Sequence, residues 1–323
     1  MAISAHTALF GVLGHPVRHS LSPLMHNAAF SALGMDAAYL AFDVGPGRLA
    51  ALLPALAELG FAGLNLTLPL KEAAFRALSE LDDEARLLGS VNTVKVTPGG
   101  GLEGHSTDGR GFLRSFEECF GAPVAGRSVF LLGCGGAGRA VAIACARAGA
   151  GAVRLANRDQ ERACALEEEM REKCPGVSVE TVPAGSWAAS CRECDAVVHA
   201  ASVGIRPGEP ALLDSGAFRP GQALYDLVYM FPETPVMAAA RRAGARAANG
   251  LGMLLHQGAL AFRIWTGVEP PIPLMRSALE TAVYGKPLVG AEANPGSGDA
   301  RAPVSEASIP SLKTGTGNAI NPT

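Results

Sequence analysis

Apolar residues fall along the chain in short runs that alternate with longer amphipathic stretches. The first run, ALFGVLG over residues 8–14, leads through a polar loop into SPLMHNAAFSALG, which reads as a helix with Ser22 as N-cap and Pro23 at its first position. A second run, AAYLAFDV, precedes a helical stretch from Gly47 to Leu59. A third, FAGLNLTL, ends at Pro69, just before a helix that opens at or near Lys71. Strand, helix, strand, helix, strand, helix is the order of an α/β layer, because parallel strands need a crossover between them. SVNTVKV and GLEGHST then read as a hairpin around the turn signal TPGGG.

A helix from about Gly109 to Cys119 follows, and then a loop holding Gly121, Pro123 and Gly126, which marks a domain boundary. Beyond it the alternation resumes with SVFLLG, a helix from Ala137, AVRLAN, a helix over residues 159–173, VSVETVP, DAVVHAA and ALYDLVY. This succession predicts a complete doubly wound nucleotide-binding sheet. NGLGMLLHQGALAFRIWTG reads as a long apolar helix returning to the first domain or to the cleft. From residue 288 the chain turns rich in Gly, Pro, Ser, Ala and Thr without periodicity, and a disordered tail over 288–323 is expected.

Composition narrows the picture. Hydrophobic residues make up 48% of the chain and aromatics only 6%, so the core is expected to rest on Ala, Leu and Val. A formal charge of −3 gives no broad basic footprint for nucleic acid or an anionic membrane, so anionic ligands must be met by local charges. Seven scattered cysteines argue against a disulfide scaffold and for a reducing compartment. Cys191 and Cys194 form a CxxC with no second pair at zinc spacing, and no metal site is expected. With no signal-like N-terminus and no long apolar run, the expected location is the cytoplasm.

GCGGAG, from Gly133 to Gly138, follows the run SVFLL and opens an Ala-rich helix. A glycine turn there lets backbone N–H groups and the helix N-terminus meet a pyrophosphate, although a tight turn needed only for shape has the same sequence. About twenty residues on, the next strand ends in Asn157 and Arg158, with Arg162 one turn further. Cationic donors at this position favour the 2′-phosphate of NADP over the ribose of NAD. Asp159 argues the other way if its carboxylate points inward, or it caps the following helix.

Three polar clusters at loop or strand ends are hard to explain as scaffold alone. They are Ser20 and Ser22 in HSLSP, Asn65, Thr67 and Lys71 in NLTLPLK, and Asn92 with Asp108 in SVNT and STDG. Their hydroxyls, amides, ammonium and carboxylate suit a small polyhydroxylated acid. With GHPVRHSLSPLMHN, NLTLPLKEAAF, GSVNTV, STDGRGF, GCGGAG, ANRDQERA, YDLVYMFPETP and NGLGMLLHQGALAFRIWTG in this order, the chain resembles the shikimate dehydrogenase family over roughly residues 8–285.

The resemblance implies an N-terminal α/β substrate-binding and catalytic domain over residues 1–120, completed by 249–287, and an NADP-binding Rossmann-like domain over 121–248. It assigns Ser20, Ser22 and Tyr229 to the substrate carboxylate, Asn65, Thr67, Asn92 and Gln257 to the ring hydroxyls and the carboxylate surroundings, and Lys71 and Asp108 to the reacting oxygen. It puts Gly135, Gly136, Ala137 and Gly138 at the pyrophosphate, Asn157, Arg158 and Arg162 at the adenosine phosphate, and Gly252 near the nicotinamide. The partners it implies are small molecules, without nucleic acid or membrane, on a monomer or homodimer.

The chemistry agrees with those roles. Hydride reaching a carbonyl carbon leaves negative charge on oxygen, which a positioned ammonium stabilises and protonates. A purely structural ion pair, or Asp108 as N-cap of the GRGF helix, would use the same two residues. Departures from the family pattern fall at His199, Ala200, Ala201 and Ser202, where Asn-Ala-Thr is usual, and at Asp159, where Thr is usual. His15, His19, His26 and His256 read as loop or cleft-wall residues, and His105 as a hairpin residue. A quinate or aminoshikimate dehydrogenase using NAD or either cofactor would share most of these features, and a non-catalytic shikimate-binding sensor would keep the serines but lose Lys71 or Asp108.

Overall fold

The first apolar run becomes β1 (Ala8–Gly14), whose last five residues are buried, and α1 (Ser22–Ala32) leads from it to β2 (Ala37–Asp43). The structure, a computed structural model, describes residues 3–202, 206 and 208–286, and the tail expected over 288–323 lies outside the described residues. The layer continues with α2 (Leu49–Glu58), β3 (Phe61–Leu66), α3 (Lys71–Ala77), β4 (Glu80–Leu81), α4 (Asp83–Leu88), β5 (Thr93–Val96), β6 (Leu102–His105) and α5 (Asp108–Phe120). Its sheet has the order β2-β1-β3-β5-β6-β4. β1 pairs parallel with β2 and β3, while β5 runs antiparallel to both β3 and β6.

The second sheet is built from β7 (Ser128–Leu132), α6 (Gly136–Arg147), β8 (Ala152–Ala156), α7 (Gln160–Lys173), β9 (Ser178–Thr181), α8 (Trp187–Glu193), β10 (Ala196–His199), β11 (Ala223–Asp226), α9 (Pro235–Arg242) and β12 (Arg246–Ala248). Its order is β12-β11-β10-β7-β8-β9, with every pairing parallel. The chain passes from β7 to β8 on one side and reaches β10 on the other, so the crevice beyond the end of β7 is the switch point where such sheets take ligands. α10 (Leu251–Thr266) and α11 (Ile272–Tyr284) close the described chain.

Two helices join the sheets. α5 places Phe112, Phe116 and Phe120 on one face, four residues apart, in the core with Val129, Leu131 and Tyr225 of the second sheet. Each such ring removed from water stabilises the fold by roughly 2–3 kcal/mol. α10 returns to the first sheet, as its sequence suggests, and packs Leu255, Ala259 and Phe262 with Phe10, Met25 and Phe30. No helix among the described residues is long and apolar enough to cross a membrane.

The structure corrects several local expectations. Ser22 is the first residue of α1 rather than its N-cap; Leu21 occupies the cap, and the Ser22 N–H is taken by Ser20 Oγ at 3.3 Å. The stretch from Gly47 opens as a 3₁₀ turn over Pro46–Arg48 before α2 begins. β4, α4, α8, α9 and β12 are not evident in the sequence pattern. His26 is no cleft-wall residue. It is fully buried, stacked on Tyr39 at 4.5 Å between ring centroids, with both ring nitrogens unpartnered, and burial lowers its pKa to about 3. His256 is buried between helices and meets Glu118 at 2.6 Å, while the exposed His15 pairs with Asp43. His105 pairs with Asp82 at 3.2 Å beside its hairpin. Cys191 and Cys194 are buried, unbridged thiols, pushed up by burial to about 12 and about 11.

Candidate active site

β7 ends at the glycine-rich turn, and the turn needs glycine for two distinct reasons. Gly133 has φ of 110°, and a Cβ there would lie 2.6 Å from the Ala201 nitrogen; a Cβ on Gly138 would lie 1.9 Å from the Gly133 oxygen. Those two positions hold helix α6 tight against the turn and strand end. Gly135 and Gly136, by contrast, have open space where a Cβ would be, at the N-terminus of α6. They face a cavity of about 710 Å³ lined also by Gly133, Ala137, Asn157, Arg158 and Arg162. An unobstructed backbone at a helix N-terminus presents free N–H donors and a partial positive charge to an anion.

The rim of this cavity is organised by Asn157, whose Oδ1 accepts the Cys134 N–H at 3.0 Å and whose Nδ2 donates to the Asp159 carbonyl at 2.8 Å. Asp159 caps α7, its Oδ1 accepting the Arg162 N–H at 3.3 Å. Among the described residues neither Arg158 nor Arg162 forms an ion pair. Two uncommitted guanidinium groups beside a polar cavity offer planar, forked donors suited to a phosphate.

A smaller cavity of about 200 Å³ adjoins the first, and Leu68, Lys71 and Ala137 line both. Its walls include Ser20, Ser22, Asn65, Thr67, Asn92, Asp108, Tyr229 and Gln257. Lys71 opens α3 and Asp108 opens α5, and the Lys71 ammonium donates to Asp108 Oδ2 at 2.6 Å. The N-cap of α5 is Thr107, so Asp108 is not the cap. Its second oxygen accepts from Asn92 Nδ2 at 2.9 Å, and that same nitrogen lies 3.3 Å from Gln257 Oε1. Asn92 Oδ1 in turn accepts the Thr107 N–H at 2.9 Å, which fixes the amide orientation.

Asn65 braces the floor of this cavity. Its Oδ1 accepts the Tyr39 hydroxyl at 2.7 Å, and its Nδ2 donates to the Asn92 carbonyl and Thr93 Oγ1 at 3.0 and 3.1 Å. With both amide hydrogens taken, only a lone pair of Oδ1 remains for a ligand. Burial pushes the Tyr229 phenol up, so it stays a protonated donor near neutrality.

The structure thus brings together all the residues expected at the substrate site around the smaller cavity, and all those expected at the cofactor site around the larger one except Gly252 and Gly138, the latter lying beneath the turn. Gly252 lines neither. It faces α5, where a Cβ would lie 2.2 Å from Ser115 Oγ. Gly250, Met253 and Leu254 line the smaller cavity instead, with Leu227, His19 and Leu68. Helical spacing distinguishes them, since Met253 and Gly250 stand four and seven residues before Gln257 on its own face, whereas Gly252 is turned about 140° away. The larger cavity gains Ser90, Arg139, Trp187 and Leu212, none of which is among the expected site residues.

A glycine turn at a switch point, next to a partly buried lysine–carboxylate pair in an adjoining pocket, has the geometry of a dinucleotide-dependent oxidoreductase. Residues 12–94 match the shikimate dehydrogenase substrate binding domain, and residues 250–280 the shikimate 5′-dehydrogenase C-terminal domain. The shikimate dehydrogenase (NADP(+)) of Moorella thermoacetica is 48% identical over 283 residues, covering 87% of this chain and 95% of its own. The structure is similar to that of shikimate 5-dehydrogenase from Thermus thermophilus in complex with NADP(H) and shikimate, with a TM-score of 0.76, 41% identity and coverage of 85% and 100% of the two chains. It is also similar to quinate dehydrogenase from Corynebacterium glutamicum in complex with NAD, with a TM-score of 0.78, 35% identity and coverage of 85% and 99%. The chain belongs to the shikimate dehydrogenase family.

Proposed function

We propose that this chain catalyses the reversible NADPH-dependent reduction of 3-dehydroshikimate to shikimate, on the route to chorismate and the aromatic amino acids. The observation that carries the reading is the Lys71–Asp108 contact of 2.6 Å at the wall shared by the two cavities. In this reading residues 1–120 with 249–287 form the substrate-binding and catalytic domain, and residues 121–248 the NADP-binding domain. The enzyme acts in the cytoplasm on small molecules, as a monomer or homodimer, without nucleic acid or membrane as partner.

The open backbone at Gly135 and Gly136 and the guanidinium groups of Arg158 and Arg162, without an ion pair among the described residues, fit a phosphorylated dinucleotide, which when bound supplies the hydride. Lys71 stabilises the negative charge that develops on the substrate oxygen and donates its proton there; in the reverse direction it accepts that proton. Asp108 holds the ammonium and accepts a hydrogen bond from the adjoining hydroxyl. Asn92 keeps the Asp108 carboxylate oriented, while Ser20, Ser22 and Tyr229 donate to the substrate carboxylate, and Thr67 and Gln257 hold the ring.

Steady-state NADPH oxidation with 3-dehydroshikimate tests this. Lys71→Ala is expected to lower kcat about 10³-fold, the usual size of a lost general acid. Absence of wild-type turnover, or undiminished turnover in the variant, rejects the proposal. Asp159 at the phosphate rim favours a second reading, a quinate or aminoshikimate dehydrogenase using NAD or either cofactor. Catalytic efficiencies for NADPH and NADH against shikimate and quinate separate the two.

A further inference from the structure

Two helices that line the smaller cavity cross at short range, and a phenol from the other sheet sits at their crossing. α5 begins with Asp108, and α10 brings Met253 and Gln257 to the cavity. A Cβ on Gly111 would lie 2.7 Å from the Gln257 nitrogen, and one on Gly252 2.2 Å from Ser115 Oγ, so glycine at both points lets the backbones approach. Small residues permit a close crossing but offer few ridges to resist sliding.

Tyr225, on β11, supplies that resistance. Its hydroxyl shares a 2.7 Å hydrogen bond with Ser115 Oγ of α5 and accepts the Met253 N–H of α10 at 2.9 Å. The Met253 N–H lies in the first turn of α10, where backbone donors lack partners within the helix, and Gly250 at the N-cap has no side chain to cap them. The ring is fully buried, edge-on to Phe112 at 5.1 Å, so bulk solvent does not reach the oxygen and losing either partner costs a buried hydrogen bond. Burial also raises the phenol well above its ordinary pKa, which keeps it protonated.

We infer that Tyr225 is a positioning residue for the reduction: its oxygen registers α10 against α5 and so sets Met253 and Gln257 in place relative to Asp108. The inference rests on the smaller cavity being the substrate site.

Tyr225→Phe in the full chain keeps the ring and removes one oxygen. Breaking a buried hydrogen bond of this kind is expected to lower kcat about tenfold and raise KM for 3-dehydroshikimate about fivefold, with KM for NADPH within about twofold of wild type. Ser115→Ala is expected to act in the same direction by less, and the double variant to fall short of the product of the two, because both act through one oxygen. A lowered melting temperature with kcat and both KM values unchanged overturns the inference, as does a KM for NADPH that shifts as far as that for 3-dehydroshikimate. Should Tyr225→Phe fail to fold, Ser115→Ala carries the same test. Absence of wild-type turnover rejects the proposed function itself, whereas an active wild type with an equally active Tyr225→Phe rejects only the role of Tyr225.

Discussion

The two adjoining cavities are built on opposite plans. In the smaller one the groups at the reacting centre already have protein partners, with Lys71, Asp108, Asn92, Asn65 and Gln257 linked through hydrogen bonds that converge on Asn92. In the larger one the glycine turn is open at Gly135 and Gly136, and Arg158 and Arg162 form no ion pair among the described residues. The first plan fixes geometry before a ligand arrives, which suits a reacting centre that must not reorganise. The second leaves charge for the ligand to satisfy, which suits affinity and discrimination between phosphorylated and unphosphorylated ligands.

Removing the unpaired charges should break this contrast most visibly. Replacing both Arg158 and Arg162 by Ala is expected to raise KM for NADPH by about 100-fold, the effect of losing two charge-assisted contacts, with little change in KM for 3-dehydroshikimate. Steady-state titrations of each reactant check it; equal shifts in both constants would show that the cavities do not divide the work in this way.

A pH series sharpens the contrast from the braced side. His26 stacks on Tyr39, whose hydroxyl holds Asn65, and its folded-state pKa of about 3 lies below the ordinary 6.5. Below pH 6.5 the unfolded chain takes up a proton that the folded chain refuses, so stability falls as pH drops from about 6.5 toward 3. The expected slope from this one group is about 1.4 kcal/mol per pH unit, and His26→Leu should remove it. Denaturant unfolding at about pH 7 and about pH 5 measures the difference, and parallel losses in both proteins would exclude the histidine as the cause. The smallest effect belongs to Asp159→Ser, which keeps a capping oxygen on α7 but removes a negative charge from the rim of the larger cavity. KM for NADPH should fall about threefold while the melting temperature stays close to wild type.

Much of this is legible in the sequence, for identifiable reasons. Strands buried in parallel sheets read as short apolar runs, and their ends carry the polar residues that face a ligand, which is how Asn65, Asn92 and Asp108 stand out. β4 and β12 have two and three residues, too few to leave a pattern, and they exist because neighbouring strands offer them pairing partners. The apolar walls are illegible because Leu227, Met253 and Leu254 look like ordinary core residues until the helix is placed. The family resemblance points to Gly252, whereas helical spacing from Gln257 points to Gly250, and only the second lines the smaller cavity.

The glycine turn also says where a change of nucleotide preference could begin in evolution. At Gly138 even a methyl group would strike the Gly133 carbonyl, so the part of the turn that holds α6 against the strand end does not accept a side chain. The rim from Asn157 to Arg162 has no such obstacle, since its side chains stand beside open volume. Drift and selection are therefore channelled to the rim, and lineages that exchange one dinucleotide for another should differ there while their turns remain superimposable.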